Sequence, residues 1–264
     1  MYKLPKIFCP THKTELVRVG KSNDGGYIIP KKSIEKTKIL YSFGIYDDWS
    51  FEENFKKKSN PKIVCFDNSI GLFFWVKKFI KELIFFSFKK NIFCQIKSLI
   101  SFFHYKFFFN KVNILHVKKH IISKNIKLIE NNEEKFINLE NILKKWGAEN
   151  FFLKIDIEGA EYSLLDEIIF HQDKMTGLVM EFHNCDIMKD KITNFINKIN
   201  LDLVHIHVNN FCDITNDDFP TVLELTFSPK NYNQMRKSSE FNFPLKGIDQ
   251  PNNKDIEDKS ISFF

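Results

Sequence analysis

Proline and glycine are scarce in this chain, 8 and 9 of 264 residues, and nowhere do they gather with serine into a linker. One sizeable core is therefore expected, not two tethered domains. The five cysteines (Cys9, Cys65, Cys94, Cys185, Cys212) form no CxxC pair and are odd in number. Neither a disulfide framework nor a zinc site is indicated, and reduced thiols suit a cytoplasm. Long apolar runs are missing too: lysines interrupt every stretch that approaches the ~18 residues a membrane-spanning helix needs. Met1 to Pro10 carries a proline and charges where a signal peptide would need an apolar core, so export by that route is not expected. Nor is charge of one sign in large excess, since 39 basic against 33 acidic residues leave +6. That balance is too mild and too mixed to argue for a nucleic-acid partner. Phenylalanine is what abounds, 30 residues, as part of a Lys/Asn/Ile/Phe bias.

Short apolar runs alternate with helical patterns along the chain. Lys38 to Gly44 reads as a strand followed by a turn and a helix carrying Phe51 and Phe55. Lys62 to Asp67 is a second buried strand that stops on an acid, which makes a βαβ unit. From Leu72 to Phe109 the chain is aromatic and lysine-rich with helical spacing, an inserted helix pair within residues 70–110. Strand character returns at Val112 to Val117. An amphipathic helix through Leu139, Ile142, Leu143 and Trp146 then ends at Gly147. Phe151 to Ile155, Gly177 to His183, Leu203 to Val208 and Val222 to Phe227 complete the strands, and the last two, joined without an evident helix, are expected to pair antiparallel at one edge. The polar stretch 230–264 is expected to be mobile.

Three features fall on one rim of such a sheet. A Gly-containing turn (Ser42-Phe43-Gly44) follows the first strand, Asp67 ends the second, and Asp156-Ile157-Glu158-Gly159-Ala160-Glu161 follows the strand at 151–155. In open α/β sheets the carboxyl ends of the strands are where ligands bind. A glycine followed about twenty residues later by an acid suits a nucleoside cofactor, with the acid accepting ribose hydroxyls. No further glycines complete a pyrophosphate-binding GxGxxG, so S-adenosylmethionine is favoured over NAD. Taken alone, the carboxylate turn reads equally well as a helix start, and Asp67 as a strand-terminal acid making a local turn bond.

At these residues the chain resembles the FkbM-type methyltransferase family. The likeness is carried by Asp24-Gly25-Gly26-Tyr27, Ser42-Phe43-Gly44-Ile45 with Ser50-Phe51-Glu52, Phe66-Asp67, Leu153-Lys154-Ile155-Asp156-Ile157-Glu158-Gly159-Ala160-Glu161 and Glu181-Phe182-His183. It spans about Val17 to Pro229 without the insertion. The resemblance implies an α/β, Rossmann-like seven-stranded methyltransferase domain, mostly parallel, that uses S-adenosylmethionine on sugar hydroxyls of glycans or their precursors. By position, Ser42, Phe43, Gly44, Asp67, Asn68 and Asp156 would bind the cofactor, and the Asp24 turn would fold over it.

Methyl transfer to a hydroxyl requires alignment and removal of a proton. His183 is the candidate base, with Asp156 and Glu158 beside it as catalytic carboxylates. Asp156 and Glu181 are candidate ligands for Mg²⁺, a hard cation that prefers oxygen. Glu161 is expected to serve only as the helix's N-terminal charge. His205 and His207 share a strand face and are expected on the surface or hydrogen-bonded. The 72–109 insertion reads as helices packed on the core with solvated lysines, as a lid or dimer contact, or as a basic amphipathic surface for anionic membrane. A cytoplasmic O-methyltransferase is the resulting expectation. The competing one is a non-catalytic scaffold that keeps the fold and binds partners or membrane.

Overall fold

A computed structural model describes residues 1–89, 92–126, 133–211, 215, 217–237 and 242–264, with backbone alone over 82–89 and 92–97 and at 133. Lys90 and Cys212 fall outside these residues, and nothing is described of the side chains of Phe85, Phe86, Phe88, Lys89, Phe93, Cys94 or Lys97. The central sheet has seven strands: β1 (Ile39–Phe43), β2 (Lys62–Phe66), β3 (Ile114–Val117), β4 (Phe151–Ile155), β5 (Met175–His183), β6 (Leu201–Val208) and β7 (Val222–Pro229). Their spatial order is β6-β7-β5-β4-β1-β2-β3. The β3, β2, β1, β4 and β5 strands run parallel, and β7 is antiparallel to both neighbours. This is a Rossmann-like, mostly parallel sheet of seven strands. The expected antiparallel partnership of the last two strands is present, but β7 inserts between β5 and β6, which leaves β6 at the edge.

Alternation along β4 explains the two layers. Phe151, Leu153 and Ile155 face one core, where helices α5 (Leu139–Trp146), α6 (Leu165–His171) and α7 (Cys185–Lys198) pack through Leu139, Ile168 and Phe195. Phe152 faces the other core with Ile34 of α1 (Lys31–Lys36) and Phe51 and Phe55 of α2 (Ser50–Ser59). Burying each such side chain stabilises the fold by about 1.5–3 kcal/mol. A short antiparallel hairpin, Leu16–Val19 with Tyr27–Pro30, covers that second layer and carries the Asp24-Gly25-Gly26 turn at its tip. The insertion is a pair of helices, α3 (Leu72–Lys89) and α4 (Ile92–Phe109), between β2 and β3, anchored by buried Trp75, Tyr105 and Phe108.

The stretch expected to be mobile, 230–264, folds back over the edge of the sheet wherever it is described. Ile261–Phe263 pairs with Tyr2–Leu4, and Phe243 and Asn252 are buried. The cause lies in β6: His205 and His207 are buried and, as expected, hydrogen-bonded, and they find carboxylate partners in this stretch. His205 Nε2 lies 3.0 Å from Asp249, and His207 Nε2 lies 3.1 Å from Asp258 while its Nδ1 faces Glu224 at 3.3 Å. Burial opposes a charged His207, but hydrogen bonds to Asp258 and Glu224 outweigh it and push it up to about 10.

Candidate active site

A cleft of about 860 Å³ opens at the carboxyl ends of β1, β2, β4 and β5. It lies where the strand order reverses between β1 and β4, the place for ligands in an open α/β sheet. Its wall includes Gly44, Asp67, Asn68, Asp156, Glu158, Glu181 and His183 from the expected set, together with Asp24 and Gly25 of the hairpin turn. Ser42 and Phe43 are not part of it, because both belong to the strand itself and are fully buried. The Ser42 hydroxyl donates to Glu52, and the Phe43 ring packs edge-on against Phe66. In the first turn, then, the chain reaches the cleft at Gly44, not before. A Cβ on Gly44, whose φ is +78°, would stand 1.7 Å from the Asp156 carbonyl oxygen. The glycine is thus required by the neighbouring strand end.

Asp67 differs from its expected role. Its Oδ2 accepts from the backbone N–H of Ile45 (3.0 Å) and Tyr46 (2.8 Å), and its Oδ1 from Ser69 N (2.7 Å) and Ser69 Oγ (2.5 Å). A carboxylate has about four acceptor positions, so the side chain is already saturated in holding the first turn. Burial works against its charge, but these bonds hold its carboxyl below the ordinary value. A ribose hydroxyl would have to share or displace one of these bonds. Asn68 also has a partner, His120 Nε2 at 2.9 Å.

The floor of the cleft is a buried polar network that begins at Lys154. This residue alternates onto the face opposite Leu153, and its ammonium donates to the Gly44 carbonyl at 2.6 Å and lies 3.7 Å from Asp156. Burial disfavours the charged amine, yet Asp156, Glu52 and Glu181 outweigh it and raise its pKa. The Tyr27 hydroxyl lies 2.9 Å from Asp156 Oδ2 and 2.9 Å from Glu181 Oε2. One hydroxyl proton cannot serve two carboxylates. Burial, with Asp156 and Glu224 nearby, pushes Glu181 up to about 8, which eases the crowding of two carboxylates around one hydroxyl. The other Glu181 oxygen accepts from Asn209 at 2.8 Å. Both Glu181 oxygens thus have partners within the protein, and among the described residues it is Glu158 and His183, not Glu181, whose atoms gather with Asp156.

Glu161 is also corrected. Glu158 and Gly159 both take positive φ, 55° and 101°, and this turn swings Glu161 beneath the end of β5. There it is fully buried, with Oε1 2.6 Å from His183 Nδ1 and 3.2 Å from the His183 backbone N–H. Nε2 of His183 faces the cleft, 3.6 Å from exposed Glu158. Burial opposes a charged imidazole here, but the hydrogen bond and charge of Glu161, with Glu181 and Asp156 behind, raise His183 to about 9. Asp156, Glu158 and His183 each offer an atom within 4.8 Å of the others, a spacing that suits a divalent cation. Tyr27, Lys154 and Asn209 were absent from the expected site. For Lys154 the signal was present: a lysine in the middle of an otherwise apolar strand must find partners.

No protein-family model matches the chain, and no curated protein does either. Among solved structures it is similar to a mutant of the 16S rRNA (adenine(1408)-N(1))-methyltransferase from Catenulisporales acidiphilia, at 8% identity and a TM-score of 0.33, covering 84% of this chain and 100% of that one. So distant a likeness carries nothing about activity or substrate.

Proposed function

We propose that the chain is an S-adenosylmethionine-dependent O-methyltransferase of the FkbM type, acting on a sugar hydroxyl of a glycan or glycan precursor. The observation that carries this reading is the His183–Glu161 pair on the floor of a cleft at the reversal point of the sheet. At about 860 Å³ the cleft is within the range of small-molecule sites. Its lining suits a zwitterion that also bears a sulfonium: Asp24, Asp48, Asp156 and Glu158 offer negative charge, and Lys21 and Lys119 offer positive charge. When bound, S-adenosylmethionine supplies an electrophilic methyl group. Glu161 fixes the tautomer and orientation of His183 by holding Nδ1, so that Nε2 takes the acceptor's proton. Asp156, fixed by Tyr27 and Lys154, and exposed Glu158 orient the hydroxyl. The asparagines and carboxylates of the wall suit a polyhydroxylated acceptor.

A second reading is favoured by the close approach of Asp156, Glu158 and His183. These residues would hold a divalent cation that lowers the acceptor hydroxyl's pKa, with Glu161 bracing the imidazole as carboxylates do behind ligating histidines. An imidazole with two carboxylates suits Mn²⁺ or Zn²⁺ better than Mg²⁺. The non-catalytic scaffold is the remaining alternative. Titration calorimetry with S-adenosylhomocysteine separates the enzyme from the scaffold: absence of binding at millimolar ligand would sink the enzyme reading. Repeating the titration with Mn²⁺ on the wild type and Asp156→Asn tests the cation, whose loss in the variant is expected.

A further inference from the structure

We infer that the α3–α4 hairpin is a docking surface for an anionic lipid bilayer, which it meets side-on. Charge distribution is the first observation. Residues 72–119 hold ten lysines and a single acidic residue, Glu82, whereas the rest of the chain has 29 basic and 32 acidic residues. That segment, from the start of α3 to just past β3, therefore carries more than the chain's whole net positive charge, and the remainder is slightly acidic. Exposed apolar stripes are the second observation. On α3 they are Leu72, Val76 and Ile80 with Phe73 beside them; on α4, Leu99, Phe103 and Phe107. Each triplet repeats every four residues, so each forms one face of its helix. Phe73 is 80% exposed and Phe103 66%, while Trp75, Tyr105 and Phe108 on the opposite faces are buried in the core. The core thus accounts for one face of each helix and leaves the other with large side chains in water.

Lysines flank both stripes. Lys77 and Lys81 stand exposed beside the α3 stripe, and Lys111 lies 4.6 Å above the Phe107 ring. Apolar side chains ringed by lysine ammoniums are complementary to an acyl boundary under anionic headgroups. Among the described residues no helix is long and apolar enough to cross a membrane, which agrees with a hairpin that lies on the surface. The root of the hairpin also touches the cleft mouth. The Phe74 ring packs 5.4 Å from Tyr46, and Lys78 pairs with Asp47 at 2.7 Å. Both partners line the cleft. A docked hairpin therefore brings the cleft to the headgroup layer. If the methyltransferase reading holds, and only then, the acceptor is a glycan carried at the membrane.

The test uses the full chain and needs no activity. Co-sedimentation with vesicles of phosphatidylcholine containing about one third phosphatidylglycerol is expected to exceed that with pure phosphatidylcholine by roughly tenfold or more and to fall steeply with added salt. Lys77→Glu with Lys81→Glu should remove the preference for anionic vesicles. Phe73→Asp with Phe103→Asp should weaken binding at every lipid composition. Circular dichroism and the affinity for S-adenosylhomocysteine report whether the variants fold. Should neither vesicle bind the wild type, or should both folded variants bind as it does, the inference fails. It also fails if single-stranded RNA displaces the protein from anionic vesicles at equal charge concentration, or if light scattering shows a dimer that does not bind vesicles.

Discussion

Replacing Glu161 with glutamine isolates the electrostatic device on which the proposed chemistry turns. The amide oxygen can still accept from His183 Nδ1, so ring orientation is retained while the negative charge is lost. The interval between the ordinary 6.5 of an imidazole and the 9 or so of His183 corresponds to about 3 kcal/mol of preference for its charged form. Burial acts in the opposite sense, and Glu161 makes the leading favourable contribution at 2.6 Å. We assign it the larger share, about 2 kcal/mol, so the midpoint should fall by more than one pH unit in the variant. Long-range proton–nitrogen NMR of the imidazole rings reads this directly in metal-free protein. The folded pKa lies above the unfolded one, so the stabilisation is fully present below about pH 6.5 and lost as pH rises through about 9. The difference in unfolding free energy between wild type and Glu161→Gln should therefore be largest near pH 6 and shrink by about 2 kcal/mol toward pH 10. The new amide adds a buried donor whose cost does not vary with pH, which is why the pH dependence of the difference is the quantity to read. A His183 midpoint still near 9 in the variant would refute the reasoning. A stability difference that is flat with pH would do the same.

Three further outcomes follow from the same geometry. His183→Ala should lower methyl transfer by about 10²–10⁴-fold and leave the calorimetric affinity for S-adenosylhomocysteine nearly intact; unchanged turnover rejects His183 as the base. In the wild type His183 is raised to about 9 and is mostly protonated at pH 7.5, so kcat/KM should climb with pH toward about 9. Asp67→Ala removes the acceptor for two backbone N–H groups of the first turn and one of its own turn and should lower both the melting temperature and cofactor affinity, by about 1–3 kcal/mol of lost hydrogen bonding. Loss of affinity at an unchanged melting temperature would return Asp67 to a purely ligand-binding role. Asp258→Asn takes one counter-charge from buried His207 and should destabilise the chain by about 1–3 kcal/mol, with faster amide exchange over Ile261–Phe263. Exchange that rises equally throughout the sheet would argue against a local latch.

The sheet was legible because its strands are buried on both faces and appear as short continuous apolar runs between polar turns, which a single sequence reveals. Asp156, Glu158 and His183 were legible for a related reason: polar residues at the end of such a run emerge on the rim. Ser42 and Phe43 misled because a motif was assigned to the ligand as a block, whereas the residue past the strand end is the one that reaches it. Asp67 shows one spacing serving two ends: an acid about twenty residues past the turn suits a ribose, and the same position bonds back to the first turn. Glu161 was unreadable in its partnership, since the left-handed turn at Glu158 and Gly159 that brings it under His183 has no signature beyond one glycine. The packed end of the chain left a fainter trace: two histidines in an apolar edge strand require carboxylates, and Asp249 and Asp258 lie in a stretch whose composition otherwise reads as unstructured.

That end of the chain bears on the site as well as on the fold. Asn252 donates to Glu224 at 2.8 Å and reaches Asp24 at 3.5 Å, while Asn23 donates to the Pro251 carbonyl at 2.8 Å. The Asp24-Gly25 wall of the cleft is thereby held from behind by residues 251–252, which His205 and His207 flank through Asp249 and Asp258. Across the sheet edge, Asn209 at the end of β6 donates to Glu181, which shares the Tyr27 hydroxyl with Asp156. Two hydrogen-bonded routes thus run from the carboxyl-terminal cover and the edge strand to opposite sides of one cleft. In partly satisfied networks a missing member leaves its neighbours buried and unpaired. Loss of the cover would therefore loosen the Asp24 wall first, while the His183–Glu161 pair, held within the β4 and β5 ends, would keep its geometry.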